Sequence, residues 1–67
     1  MEKLNGEIEI GNGDVFMWVR GIGDNEVHGL VRRSSGGFVP GTSGWYRTTD
    51  PVKAALVAKD IVSKITG

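Results

Sequence analysis

Sixty-seven residues and 7.2 kDa make at most one small domain, because a chain this short buries only about 60% of its unfolded surface, too little for most enzyme folds. Charged residues are 24% and balance to a net charge of zero, and hydrophobic residues are 39%, an ordinary balance for a soluble globular domain. The absence of cysteine excludes disulfides, thiolate nucleophiles and thiolate metal sites, and no apolar run reaches the ~18 residues of a membrane span.

The eleven glycines are about twice the usual share and predict many tight reversals. Met1-Glu2-Lys3-Leu4 does not open a signal peptide, so a soluble cytoplasmic protein is expected. Charge is unevenly placed. Residues 1–14 carry Glu2, Glu7, Glu9 and Asp14 against Lys3, a net of −3, whereas all four arginines (Arg20, Arg32, Arg33, Arg47) lie between 15 and 49. A dedicated nucleic-acid binder carries a basic excess across the domain, and this chain does not.

In chain order, Glu7-Ile8-Glu9-Ile10 alternates with period two and predicts a strand over about 7–11. Asn12-Gly13 then predicts a two-residue hairpin loop. A second strand follows over 14–20, with Val15, Met17 and Val19 on one side and Phe16, Trp18 and Arg20 on the other. After the turn at Gly21-Ile22-Gly23-Asp24-Asn25, a third strand over 26–33 places Val27, Gly29 and Val31 opposite His28, Leu30 and Arg32. Ser34-Ser35-Gly36-Gly37 turns again, and Pro40 and Gly41 break any strand between 38 and 44. A short strand at 45–47 leads to Thr48-Thr49-Asp50-Pro51, a capping sequence with proline at the first helical position. The helix predicted over 51–65 gathers Ala54, Ala55, Val57, Ala58, Ile61, Val62 and Ile65 within an arc of about 160°, leaving Val52 and Leu56 outside it.

The fold class expected is therefore α+β: one domain over 1–67, an antiparallel meander of three to four strands with a C-terminal helix on one face. One helix cannot cover both faces of a sheet that is apolar on both. The slim β-branched set Val15, Met17, Val19, Val27 and Val31 suits a closely packed helix, with Gly29 admitting its approach, and this leaves Phe16, Trp18, Arg20, His28, Leu30 and Arg32 outside. If the aromatic set is the core instead, a valine-rich face with Met17 is exposed.

No catalytic constellation is visible, so no enzyme is expected. His28 is the single histidine, and a triad needs Ser34, Ser35 or Ser43 to meet it with an acid. Glu7 and Glu9 solvate one side of a strand. No His/Asp cluster has metal-ligand spacing. Gly21-Ile22-Gly23 lacks the third glycine and the following helix of a phosphate loop, so no cofactor is implied. The informative set is Phe16, Trp18, Arg20, Arg32, Arg33, Trp45 and Arg47, because tryptophan and arginine dominate interface hot spots and also stack on bases and grip phosphates.

Three strands followed by Gly44-Trp45-Tyr46-Arg47-Thr48-Thr49-Asp50-Pro51 and the alanine-rich helix resemble the end of an AP2-type DNA-binding domain, with Trp18-Val19-Arg20-Gly21 and Val31-Arg32-Arg33 on the two earlier strands. The resemblance implies a sheet entering the major groove through Arg20, Arg32 and Trp45, with Arg33 and Arg47 as further candidates. Pro40-Gly41 and the helix of Thr49 to Ala58 also look like the C-terminal part of HicB-like antitoxins, which bind a small protein toxin.

The function expected is a non-catalytic binding module that engages a protein partner, or a second copy of itself, through its sheet face. Phe16, Trp18 and Leu30 are its expected anchors, Arg20 and Arg32 its rim, and Leu56 a second contact. Its size, neutral charge and lack of chemistry suit the small regulatory or accessory proteins of phages and mobile elements. DNA binding through the same face is the alternative. Neither membrane nor small-molecule cofactor is expected.

Overall fold

Asn12 and Gly13 take φ values of 56° and 78°, the paired positive angles of a two-residue hairpin loop. They join β1 (Lys3–Gly11) to β2 (Asp14–Gly21). The structure, a computed structural model, describes residues 3–66. β1 begins four residues before the alternating stretch from Glu7, and its register runs from Lys3 opposite Gly21 to Glu9 opposite Val15, with a bulge between Glu9 and Gly11. Gly6 hides the early part of β1 from a sequence reading. The Trp18 indole stands over it, and a Cβ at Gly6 would come within 3.0–3.1 Å of that ring.

At the next reversal Asp24 holds the chain twice, its amide donating to the Gly21 carbonyl and its carboxylate accepting from the Gly21 amide. β3 (Val27–Arg32) then pairs antiparallel with β2. β4 (Gly44–Tyr46) pairs with β3, giving the sheet order β1-β2-β3-β4. The helix α1 (Pro51–Thr66) starts as its capping residues dictate: the Asp50 carboxylate accepts from the Val52 amide, and Thr48 Oγ1 accepts from the Asp50 amide. α1 packs against β1, β2 and β3, so the molecule is an α+β meander with one C-terminal helix on the sheet.

The β2–β3 register decides which face the helix covers. Phe16 lies opposite Val31 and Val15 opposite Arg32, so each even-numbered residue of β2 shares a face with an odd-numbered residue of β3. Grouping Val15, Met17 and Val19 with Val27 and Val31 is therefore incorrect. Phe16, Val27, Val31, Tyr46, Ala54 and Ala58 form the core, Phe16 with 0% exposure, while Ile8, Ile10 and Trp18 pack against it. Gly29 admits the Phe16 ring and not the helix, since a Cβ there would come within 2.4 Å of Phe16 Cζ. Tyr46 meets Phe16 edge to face at 5.2 Å. The helix's buried stripe is narrower than its apolar arc. Ala54, Ala55 and Ala58 are buried, but Val57 and Ile65 are about half exposed.

The stretch between β3 and β4 holds core residues that its glycines conceal. Val39-Pro40-Gly41-Thr42 forms a turn with proline second and Gly41 at φ 89° third, closed by the Thr42 amide on the Val39 carbonyl. Val39 and Thr42 are both buried. Thr42 Oγ1 accepts from the Val31 amide and donates to the Val39 carbonyl, at 3.0 and 2.6 Å, and the Tyr46 hydroxyl donates to the Thr42 carbonyl. This polar node ties the irregular stretch to β3 and β4.

Candidate functional site

Directly paired residues on neighbouring strands point to the same side of a sheet. The side away from α1 is thus built of three cross-strand rows: Glu9, Val15 and Arg32; Glu7, Met17 and Leu30; and Asn5, Val19, His28 and Trp45. β1 contributes polar residues to each row, β2 an apolar one, and β3 and β4 a mixture. Val15, Met17, Val19, His28 and Leu30 are each only half-buried. Among the described residues α1 is the sole helix and it lies on the other side, so the Met17–Leu30 pair sits in a shallow hollow open to solvent. Trp45, 62% exposed, lies against His28 with ring centroids 4.9 Å apart.

The nine residues singled out from sequence divide between the faces. Leu30, Arg32 and Trp45 share the open side. Arg33 follows β3 and borders a second hollow on that side with Glu7, Val15, Met17 and Arg32. Phe16 does not belong to any binding surface, being enclosed in the core. Trp18, on the same side as Phe16, is half-buried against the core. Arg20 is also on the helix side, with Leu4 as its partner on β1, and its Nε is buried with no hydrogen-bond partner among the described residues. Arg47 is exposed past β4 and lines the groove between β4 and α1 with Val57. Leu56, 62% exposed, stands on the flank of α1 nearest β1, beside Ile8 and Ile10.

Val15, Met17 and Val19 are the functional candidates that sequence reasoning placed on the wrong side. Their alternation with Phe16, Trp18 and Arg20 is plain, but the choice between the two sets needs the β2–β3 register. His28 was placed outward, yet its contact with Trp45 follows only from the pairing of β3 with β4.

Among the described residues, no group of three or more His, Asp or Glu side chains is placed to hold a metal ion, and no helix is long and apolar enough to cross a membrane. The titration of Tyr46 is displaced, its phenol pushed above the usual range by burial. The open face therefore offers an apolar centre (Val15, Met17, Val19, Leu30), an exposed tryptophan at one side, two carboxylates along β1 and arginine at one corner. Such a surface can bury apolar area and orient a few charged hydrogen bonds. Comparison of the chain with protein-family models, curated proteins and solved structures gives no match.

Proposed function

We propose that this protein is a non-catalytic binding module that holds a protein partner on the open face of its sheet. The observation that carries the reading is the Met17–Leu30 pair, flanked by Val15 and Val19, on a face that no element among the described residues covers. Each large apolar side chain that a partner covers fully contributes about 1.5–3 kcal/mol, and an apolar centre inside a polar rim is the usual anatomy of protein interfaces. Trp45 is the anchor at the rim, and Arg32 and Arg33 supply oriented hydrogen bonds there. Phe16 and Trp18 have no place in this mechanism, because the first is enclosed and the second packs over Gly6.

The balance of charge favours protein over DNA. Arg20 and Arg32 point to opposite sides of the sheet, and the open side carries Glu7 and Glu9 as well as Arg32. A phosphate backbone would meet those two carboxylates along β1.

A photoreactive residue at position 30 or 45 should crosslink to a protein in cell extract, and one at the exposed Ser63 of α1 should not. Met17→Asp should remove the crosslink while leaving the fold intact. Titration into a mixed-sequence duplex at ~50 and ~200 mM salt should show no binding; affinity that falls steeply between the two would replace this reading with a DNA-binding one.

A further inference from the structure

The two edges of the sheet are finished differently. On the β4 side, β3 is closed in two pieces: Val27–Gly29 pair with β4, while the Val39 amide reaches the Val31 carbonyl and Phe38 bridges Arg32. At the other edge lies β1, nine residues long. An edge of that length is a template for another strand unless something blunts it, and β1 has neither proline nor a bulge before Glu9. Beside it, Val52 and Leu56 stand 57% and 62% exposed on the near flank of α1.

We propose that β1 pairs antiparallel with β1 of a second copy of this chain, about a two-fold axis beside Gly6. This edge adjoins the open face along β1, but its pairing does not rest on the function proposed for that face. In a symmetric antiparallel pair one residue must face its own copy, because only then do outward-pointing backbone groups meet each other. Centring the pair on Gly6 sets Lys3 opposite the partner's Glu9, Leu4 opposite the partner's Ile8, and Asn5 opposite the partner's Glu7. Every pair occurs twice. Opposite charges meet at both ends, and Leu4, 43% exposed, gains an apolar neighbour on the helix side.

Other centres fit worse. An axis beside Glu7 sets that carboxylate against its own copy, and one beside Ile8 sets Glu7 against Glu9. An axis beside Asn5 is free of like charges but pairs only Lys3 through Glu7. The Gly6 register is the longest one before the bulge that opposes no like charges. On the helix side Gly6 brings no side chain of its own to the axis, and the Trp18 indole covers it there. Because the axis is perpendicular to the sheet, both helices lie on the same side, and the Val52–Leu56 flank of each turns toward the seam.

Sedimentation equilibrium across a concentration series should give a mass approaching twice the 7.2 kDa of the chain. Glu9→Lys and Lys3→Glu should each weaken the dimer by about tenfold or more, since either puts like charges opposite at both ends. The double variant Lys3→Glu/Glu9→Lys should recover to within about threefold of wild type, because each pair returns with its signs exchanged. Glu7→Lys, facing Asn5, should change little, and strong sensitivity there would move the axis to Asn5 and overturn the register. All three side chains are exposed, so circular dichroism should show each variant folded. A monomer at every concentration, or a dimer indifferent to both single reversals, would overturn the proposal. Met17→Asp separates the two surfaces: it should abolish crosslinking from the open face and leave the dimer in place.

Discussion

β2 sends alternate residues to two environments. Phe16 and Trp18 go under the helix with Ile8, Val27, Val31 and Tyr46, while Val15, Met17 and Val19 go to the open side with Leu30 and Trp45. Both sets are apolar, yet only one is enclosed. What distinguishes them is fit. The helix side places aromatic rings over glycines, Phe16 over Gly29 and Trp18 over Gly6, and the absent side chains make room for a thin alanine stripe of α1 above. The open side has shallow hollows that are open to solvent instead. Its apolar residues cover one another only in part, which makes it a surface suited to contact and the other a core.

The comparison breaks most visibly at Phe16. Phe16→Ala should destabilise the fold by ~3–5 kcal/mol in chemical denaturation, the range for truncating a buried aromatic side chain. A fall below 1 kcal/mol would mean that the helix lies on the other side. Gly29→Val tests the same fit from beneath, since its Cβ would fall 2.4 Å from the Phe16 ring and 2.9 Å from the Met17 carbonyl. The expected cost is about 3 kcal/mol, and the backbone contact leaves little room for relief. Thr42→Val should cost about 2 kcal/mol, because it leaves the buried Val31 amide and Val39 carbonyl without their side-chain partner.

Tyr46 supplies a smaller, pH-dependent test. Burial raises its phenol above the usual value of 10. A group whose folded pKa is raised contributes stability that is present below the unfolded pKa and lost as pH climbs through the folded one. The unfolding free energy of wild type relative to Tyr46→Phe should therefore be constant up to about pH 10 and fall above it. Below that point the variant should lose ~1 kcal/mol through the missing hydrogen bond to the Thr42 carbonyl. The smallest effect belongs to the open face: Trp45→Ser should change stability by no more than ~0.5 kcal/mol, while weakening the crosslink expected from a photoreactive residue at position 30. A large stability loss would show that Trp45 and His28 support the fold.

Fold class was legible in the sequence because its strongest signals are local. Asn12-Gly13 forces a hairpin, Thr48 to Pro51 starts a helix, and the strands between alternate clearly. The sidedness of the sheet was not legible. It depends on how the turn after Gly21 sets the register of β3 on β2, and the preference for the slim β-branched set as core, drawn from side-chain shape, pointed to the wrong face. Outward placement of His28, Leu30 and Arg32 agrees with the structure, and that of Phe16, Trp18 and Arg20 does not. Residues 1–6 showed no alternation to suggest a strand, since the ring that completes the pairing at Gly6 comes from Trp18, twelve positions on. Val39 and Thr42 were hidden for a different reason: a turn built on Pro40 and Gly41 reads as a loop, whatever its flanking residues bury.

The placement of the two tryptophans gives the molecule a built-in optical label for each side. Trp18 lies half-buried over Gly6 on the helix side, and Trp45 stands exposed on the open side. With Trp45 replaced by phenylalanine, the remaining emission comes from the helix side beside the β1 edge; with Trp18 replaced, it comes from the open face alone. A soluble quencher should then reach Trp45 freely and Trp18 poorly. Contact on either surface becomes a change in one colour signal and not the other, without any foreign dye.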